Sequence, residues 1–126
     1  MEDEKKLILI VEDNPFMQSV ITQYLKKMGH VSHIASTGAE ALEMHSRNEY
    51  SLIFLDCQIP ILSGYEVARE IRKREDDRNQ TKTPIIACTA NTMDGDRERC
   101  LEAGMSDHIT KPVDDSKMQR ILMKWL

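Results

Sequence analysis

Short, continuously apolar segments are the feature that most limits the folds open to this chain. Leu7–Val11, Leu52–Leu55 and Ile85–Cys88 contain several β-branched residues. Such runs are typical of strands buried on both faces of a parallel sheet, although a buried helix can look similar over so few residues. Val31–Ala35 mixes polar and apolar residues and suits an edge strand. His108–Thr110 would form a short strand at the other edge.

Helical patterns fill the intervals between these segments. Asn14 and Pro15 suit the cap and the first position of a helix, and Gly29 suits its end. The apolar stripe between them has helical spacing and consists of Met17, Val20, Ile21, Tyr24, Leu25 and Met28.

Three further helices have a recognisable start in the sequence, and one more helix, without such a signal, lies before the last of them. Thr37-x-x-Glu40 and Ser63-x-x-Glu66 are predicted capping boxes for helices that end near Arg47 and Glu75. The polar run 76–83 is then a loop. A helix over about residues 93–103 has the most polar face of all, and Asp114 is expected to cap the last helix.

This alternation predicts one doubly wound α/β domain over residues 1–126. Composition excludes several other classes: 40% hydrophobic residues argue against disorder, and a net charge of -4 with dispersed Lys and Arg disfavours direct nucleic-acid binding. Three cysteines without a CxxC motif predict neither a disulfide framework nor a metal site with cysteine ligands. We find no signal peptide or membrane-length apolar run, so we expect a cytoplasmic location with no membrane contact.

Chemically useful side chains follow four of the predicted strands. Glu12 and Asp13 follow the first strand, Asp56 the third, Thr89 the fourth and Lys111 the fifth. In open α/β sheets these carboxyl ends lie at one edge, where ligands bind.

Carboxylates placed so close together repel one another unless a cation lies among them, and hard oxygen ligands suit Mg²⁺. A metal there would neutralise charge on a transferring phosphoryl group, with Lys111 and Thr89 binding its oxygens. One carboxylate would act as the nucleophile, because aspartate can form an acyl phosphate.

Four segments, VEDN (11–14), LDCQIPILSG (55–64), CTAN (88–91) and TKP (110–112), resemble those of the two-component receiver family. The resemblance implies a flavodoxin-like sheet of five parallel strands in the order 2-1-3-4-5, for which this family is a known example, with five helices. It also implies that Asp56 is the phosphoacceptor, paired with Lys111 and Thr89. Mg²⁺ would be held by Glu12, Asp13, Asp56 and the backbone carbonyl of Cys57. The bond before Pro112 is usually cis in the family.

The family's function sets further expectations. A histidine kinase or histidine phosphotransfer protein would donate the phosphoryl group, and the domain would be no enzyme beyond promoting its own phosphorylation and dephosphorylation. Thr89 and His108 would act in the conformational switch, read by a downstream protein at the helix 4, strand 5 and helix 5 face. Gln58 and Asn91 would tune the lifetime of the phosphorylated state.

Two departures from the family pattern are present. His108 stands where Tyr or Phe is usual, and Ile59 and Leu62 stand where methionines are common. Residues 86–105 and the short tail are most similar to receivers of hybrid sensor histidine kinases, so the parent chain could be such a kinase.

Three alternatives remain open at this point. An aspartate-nucleophile phosphatase would place Asp-x-Asp after the first strand, where this chain has Glu12-Asp13-Asn14. A flavodoxin-like cofactor binder would want a loop there rich in Ser, Thr and Gly. A receiver-like domain that binds partners without phosphorylation would not need the full residue set.

Overall fold

The computed structural model describes residues 6–90 and 94–126. Within them five strands alternate with five helices: β1 (Leu7–Val11), α1 (Pro15–Lys27), β2 (Val31–Ala35), α2 (Gly38–Arg47), β3 (Leu52–Asp56), α3 (Gly64–Asp77), β4 (Ile85–Thr89), α4 (Asp94–Glu102), β5 (Asp107–Thr110) and α5 (Asp115–Trp125). None of the described helices is both long and apolar enough to cross a membrane.

The strands form one parallel sheet in the order β2-β1-β3-β4-β5, which confirms the expected fold. Every residue of β3 and β4 is buried, as their continuous apolar sequences predict. Only one residue of β2 is fully buried, which agrees with its position at the edge. The register sets Asp56 beside Cys88 and Thr89 beside Thr110, so these strands end at nearly the same level.

Two apolar clusters cover the two faces of the sheet. Alternate residues of the strands point to opposite faces, so Leu9 and Ile10 belong to different clusters. One cluster packs the sheet against α2, α3 and the end of α4, and the other packs it against α1 and α5. The helices therefore lie on both faces and leave the carboxyl edge of the sheet to the loops.

The helix caps follow the sequence with one exception. Asn14, Ser63 and Asp114 accept hydrogen bonds from the backbone N–H three residues ahead, and Ser63 forms a complete capping box with Glu66. At α2, Thr37 Oγ1 accepts from Glu40 N at 3.1 Å, but the Glu40 carboxylate accepts from Ser36 N, not from Thr37 N. The predicted box at Thr37 is therefore only half formed, because the carboxylate reaches one residue further back.

The third helix is longer than the sequence indicated. It continues to Asp77, two residues past the predicted end at Glu75, so the loop begins later than expected. Glu75 explains the extension because its buried carboxylate accepts from the Thr83 backbone N–H at 2.8 Å and fixes the returning chain against the last turn. The predicted start of the fourth helix at Met93 lies outside the described residues.

Candidate functional site

Three carboxylates meet at the carboxyl edge of the sheet. Each of Glu12, Asp13 and Asp56 offers an oxygen, and these oxygens all lie within 4.8 Å of one another. Glu12 is 1% exposed and Asp56 5% exposed, whereas Asp13 is exposed. The cluster is thus open to solvent on one side and closed by the sheet on the other, which suits a ligand arriving from solution.

The Lys111 side chain places a positive charge beside two of these acids, Glu12 and Asp56. Its Nζ donates a hydrogen bond to Asp56 Oδ2 at 3.2 Å and lies 3.1 Å from Glu12 Oε1. The second contact is an ion pair without hydrogen-bond geometry, and Glu12 Oε1 is buried with no hydrogen-bond partner in the described part of the chain. The backbone N–H of Lys111 donates to Thr89 O at 2.8 Å, and the Lys111–Pro112 bond is cis, as expected.

Glu12 and Lys111 each shift the pKa of the other. Burial raises the pKa of Glu12, and the Asp56 charge raises it further, against the opposing effects of the Asn14 N–H and Lys111. Burial acts to lower the pKa of Lys111, but its contacts with Glu12 and Asp56 outweigh this and raise it. Lys111 therefore stays protonated at neutral pH, while the pKa of Glu12 remains above its ordinary value.

The loop after β3 folds back tightly on the end of the strand. Gln58 N donates to Asp56 Oδ1 at 2.9 Å, while the Gln58 side chain is exposed. Gly64 N approaches Cys57 O at 3.4 Å. A Cβ on Gly64 would clash with Asp56 O and lie 2.8 Å from the Cys57 Cα, so this position requires glycine. Gly64 is the last residue of the family-like segment 55–64, but only the structure reveals this close approach.

The remaining sequence-predicted residues lie near the acids to different degrees. Thr89 is 5% exposed at the end of the strand next to β3. Cys57 is buried directly after Asp56. The His108 side chain on β5 is 38% exposed, and its Nδ1 lies 3.8 Å from Asp107 Oδ1. Asn91 lies outside the described residues.

Magnesium fits this donor set. Three carboxylates within mutual reach and a buried Glu12 oxygen that lacks a hydrogen bond are oxygen ligands of the kind that Mg²⁺ takes. The ordinary alternative is a cluster neutralised by Lys111 alone. Lys111 lowers the pKa of Glu12, but it does not offset the rise caused by burial and by the Asp56 charge. The residues present therefore suit a divalent cation together with Lys111.

A parallel 2-1-3-4-5 sheet with acids and a lysine at its carboxyl edge defines the class of this protein. The chain belongs to the response regulator receiver domain family, whose sequence pattern it matches over residues 8–123. It is 36% identical to the hybrid signal transduction protein DokA of Dictyostelium discoideum, over 97% of this chain and 7% of DokA. The chain spans a small part of the length of such curated relatives, 12% for a probable histidine kinase 2 of Oryza sativa.

Two solved structures are similar over almost the whole chain. The receiver domain of a sensor histidine kinase from Pseudomonas aeruginosa PAO1, with magnesium coordinated in its active-site cleft, is 43% identical with a TM-score of 0.86, covering 97% of this chain and 98% of that one. The receiver domain of Ssk1 from Saccharomyces cerevisiae, in complex with the histidine phosphotransfer protein Ypd1, is 33% identical with a TM-score of 0.91. That match covers 96% of this chain and 88% of the other.

Proposed function

We propose that this chain is a phosphorelay receiver domain that accepts a phosphoryl group on Asp56 from a phosphohistidine of a partner protein. The observation that carries the proposal is the environment of the Asp56 carboxylate, with Oδ1 fixed by Gln58 N–H and Oδ2 by Lys111. These contacts hold the carboxylate at the mouth of the site with little freedom to rotate. A nucleophile held in this way loses little entropy on reaction.

The reaction is a simple displacement at phosphorus. An Asp56 oxygen forms a bond to phosphorus while the bond from phosphorus to the histidine nitrogen breaks, and the imidazole leaves with the bonding electrons. Lys111 Nζ, already 3.2 Å from Asp56, would pair with the added negative charge as a point charge. Thr89 would donate its hydroxyl to the same group.

Glu12, Asp13, Asp56 and the backbone carbonyl of Cys57 would hold Mg²⁺. When bound, the ion supplies neutralisation of the charge carried by the phosphoryl oxygens. The Gln58 backbone N–H and the Lys111 ammonium group have a separate task. They keep the Asp56 carboxylate in place, and Lys111 also balances its negative charge. The magnesium in the cleft of the Pseudomonas receiver supports this assignment.

Phosphorylation would be read out on the face formed by α4, β5 and α5. Thr89 would move toward the new charge and shift the loop between β4 and α4, with His108 on the same face. Gln58, whose side chain is exposed beside Asp56, would tune the lifetime of the phosphorylated state, together with Asn91. A downstream protein would bind the changed face.

The phosphodonor would be a histidine kinase or a histidine phosphotransfer protein, as in the complex of Ypd1 with the Ssk1 receiver. The domain would promote its own phosphorylation and dephosphorylation and no other reaction. We place it in the cytoplasm, as one receiver domain over residues 1–126. The hybrid kinase relatives support a parent chain of that kind.

Beryllium fluoride binding tests the proposed site. With Mg²⁺ present, the wild type should bind the mimic with one site per chain by calorimetry, and Asp56→Asn should show no binding. Glu43→Gln, an exposed change in α2, is the matched control and should bind like the wild type. Equal binding by Asp56→Asn and wild type would exclude Asp56 as the acceptor.

A further inference from the structure

Two thiols with no part in the proposed chemistry touch each other beneath the site. Cys57 Sγ and Cys100 Sγ are 3.8 Å apart, although 43 residues separate them in sequence, and the two residues are 2% and 3% exposed. Cys57 directly follows Asp56, and Cys100 lies in α4. The third cysteine, Cys88, is buried in the apolar cluster on the opposite face of the sheet.

We propose that Cys57 and Cys100 are an oxidation-sensitive pair, and that peroxide converts them to a disulfide that ties α4 to the strand carrying Asp56. The inference goes beyond the proposed function, because it concerns a modification that needs no phosphorylation. It rests on the contact between the two sulfur atoms and on the way in which α4 is attached to the rest of the domain.

Only a small movement of the two sulfur atoms is needed to form the disulfide. A disulfide has a sulfur–sulfur distance of about 2.05 Å, so the two sulfurs must approach by a little less than about 2 Å. The helix α4 can supply this shift, because Cys100 is its only buried residue among the described side chains 98–102. Few apolar contacts therefore hold residues 98–102, and this last part of the helix can shift at low cost.

The pair is protected in the closed structure. Both side chains are almost fully buried, so a peroxide molecule cannot reach the sulfur atoms while α4 stays in place. The Arg99 guanidinium of α4 lies 4.3 Å from the centre of the Tyr65 ring on α3, which is a further contact that holds α4 in place. We therefore expect oxidation when α4 lifts away, followed by disulfide formation when it returns.

The chemistry balances with a peroxide as the oxidant. The first thiol attacks the peroxide oxygen–oxygen bond, which gives a sulfenic acid and one water when the peroxide is hydrogen peroxide. The second thiol then attacks the sulfenic sulfur, forming the sulfur–sulfur bond and releasing a second water. In total the two thiols lose two protons and two electrons, and the peroxide is reduced to water.

Thiol mapping of the full chain tests the pair directly. After hydrogen peroxide treatment, alkylation and proteolysis, one intramolecular cross-link should join the Cys57 and Cys100 peptides, while Cys88 is recovered alkylated. Cys88→Ala should form the same cross-link, and Cys100→Ala should form none within the chain. Peroxide treatment in urea serves as the control for oxidant strength, since every thiol is then exposed.

Two outcomes would overturn the inference. One is recovery of both thiols as alkylated residues under peroxide that oxidises the unfolded chain, and the other is a cross-link that includes Cys88 as often as Cys100. Hydrogen exchange tests the tether itself: amides of residues 98–102 should exchange on the order of tenfold more slowly in the oxidised chain. Unchanged exchange would refute the tether. None of these readouts uses phosphorylation, so a chain that cross-links but binds no beryllium fluoride would contradict the proposed function alone.

Discussion

Glu75 and its partner Arg72 join the end of α3 to the loops that precede β4 and β5, at the edge of the sheet opposite to the acids. Its two oxygens accept from Arg72 Nη1 at 2.7 Å and from Thr83 N at 2.8 Å, and its side chain is 2% exposed. Arg72 also donates to Gly104 O at 2.7 Å and to Ser106 Oγ at 3.2 Å. Replacing Glu75 by Ala would leave the guanidinium without its anion and the Thr83 N–H without its acceptor.

The expected loss of stability follows from these contacts. Removing one partner of a buried ion pair costs about 3–5 kcal/mol, and the two bonds that Arg72 keeps favour the lower end, about 3 kcal/mol. Domains of this size are stable by roughly 5–15 kcal/mol, so the Glu75→Ala chain should still fold. With a slope of about 2 kcal/mol per molar urea, the unfolding midpoint should fall by about 1.5 M.

Urea unfolding followed by circular dichroism measures this shift, and Glu43→Ala supplies the control. Glu43 pairs with Arg47 at 3.3 Å on α2, but the two side chains are 63% and 71% exposed. Exposed pairs contribute less than about 1 kcal/mol, so this midpoint should barely move. Similar midpoints for Glu75→Ala and Glu43→Ala would refute the reasoning that burial makes the Arg72 pair important.

Three further predictions concern the site and its surroundings. Gly64→Ala should lower the free energy of unfolding by about 1–3 kcal/mol, because the new Cβ meets the backbone of Asp56 and Cys57; an unchanged urea midpoint would contradict the close approach. Burial acts to raise the pKa of Asp107, but hydrogen bonds from Trp125 and the His108 N–H, together with Lys124, lower it overall. Its carboxylate therefore stabilises the fold above the ordinary value of 3.8 and loses this effect as the pH falls through the folded pKa. Asp107→Asn should cost about 1 kcal/mol at pH 7 in urea unfolding followed by Trp125 fluorescence, and a gap from wild type that widens in acid would refute this. His108→Tyr should change partner binding at the α4, β5 and α5 face more than the rate of phosphorylation, and equal effects on both would contradict that separation.

The strands could be predicted because their signal is local. Runs such as Leu52–Leu55 must be buried on both faces, and that requirement is visible in the residues themselves. The end of α3 could not be predicted, since residues 76 and 77 are polar and their helical state depends on the contact between Glu75 and Thr83. The half-formed box at Thr37 also depends on a choice between two nearby N–H groups, which the motif alone does not settle.

The site was predictable to the extent that the sheet topology determines it. Parallel strands bring Glu12, Asp56 and Lys111 to one edge once the strand ends are identified. No local pattern indicates that Lys111 contacts both acids. The contact between Cys57 and Cys100 was equally hidden, because it depends on how α4 packs against the sheet. The roles of Thr89, His108, Gln58 and Asn91 stay predictions.

Covalent phosphorylation of Asp56 tests the central claim most directly. The wild-type chain, incubated with Mg²⁺ and acetyl phosphate, should gain one phosphoryl group by intact mass, and the group should be lost in alkali, as expected of an acyl phosphate. Asp56→Asn should gain none, and chelation of Mg²⁺ should prevent the gain in the wild type. A wild-type chain that gains no phosphoryl group, or an Asp56→Asn chain that gains one to the same extent, would contradict the account.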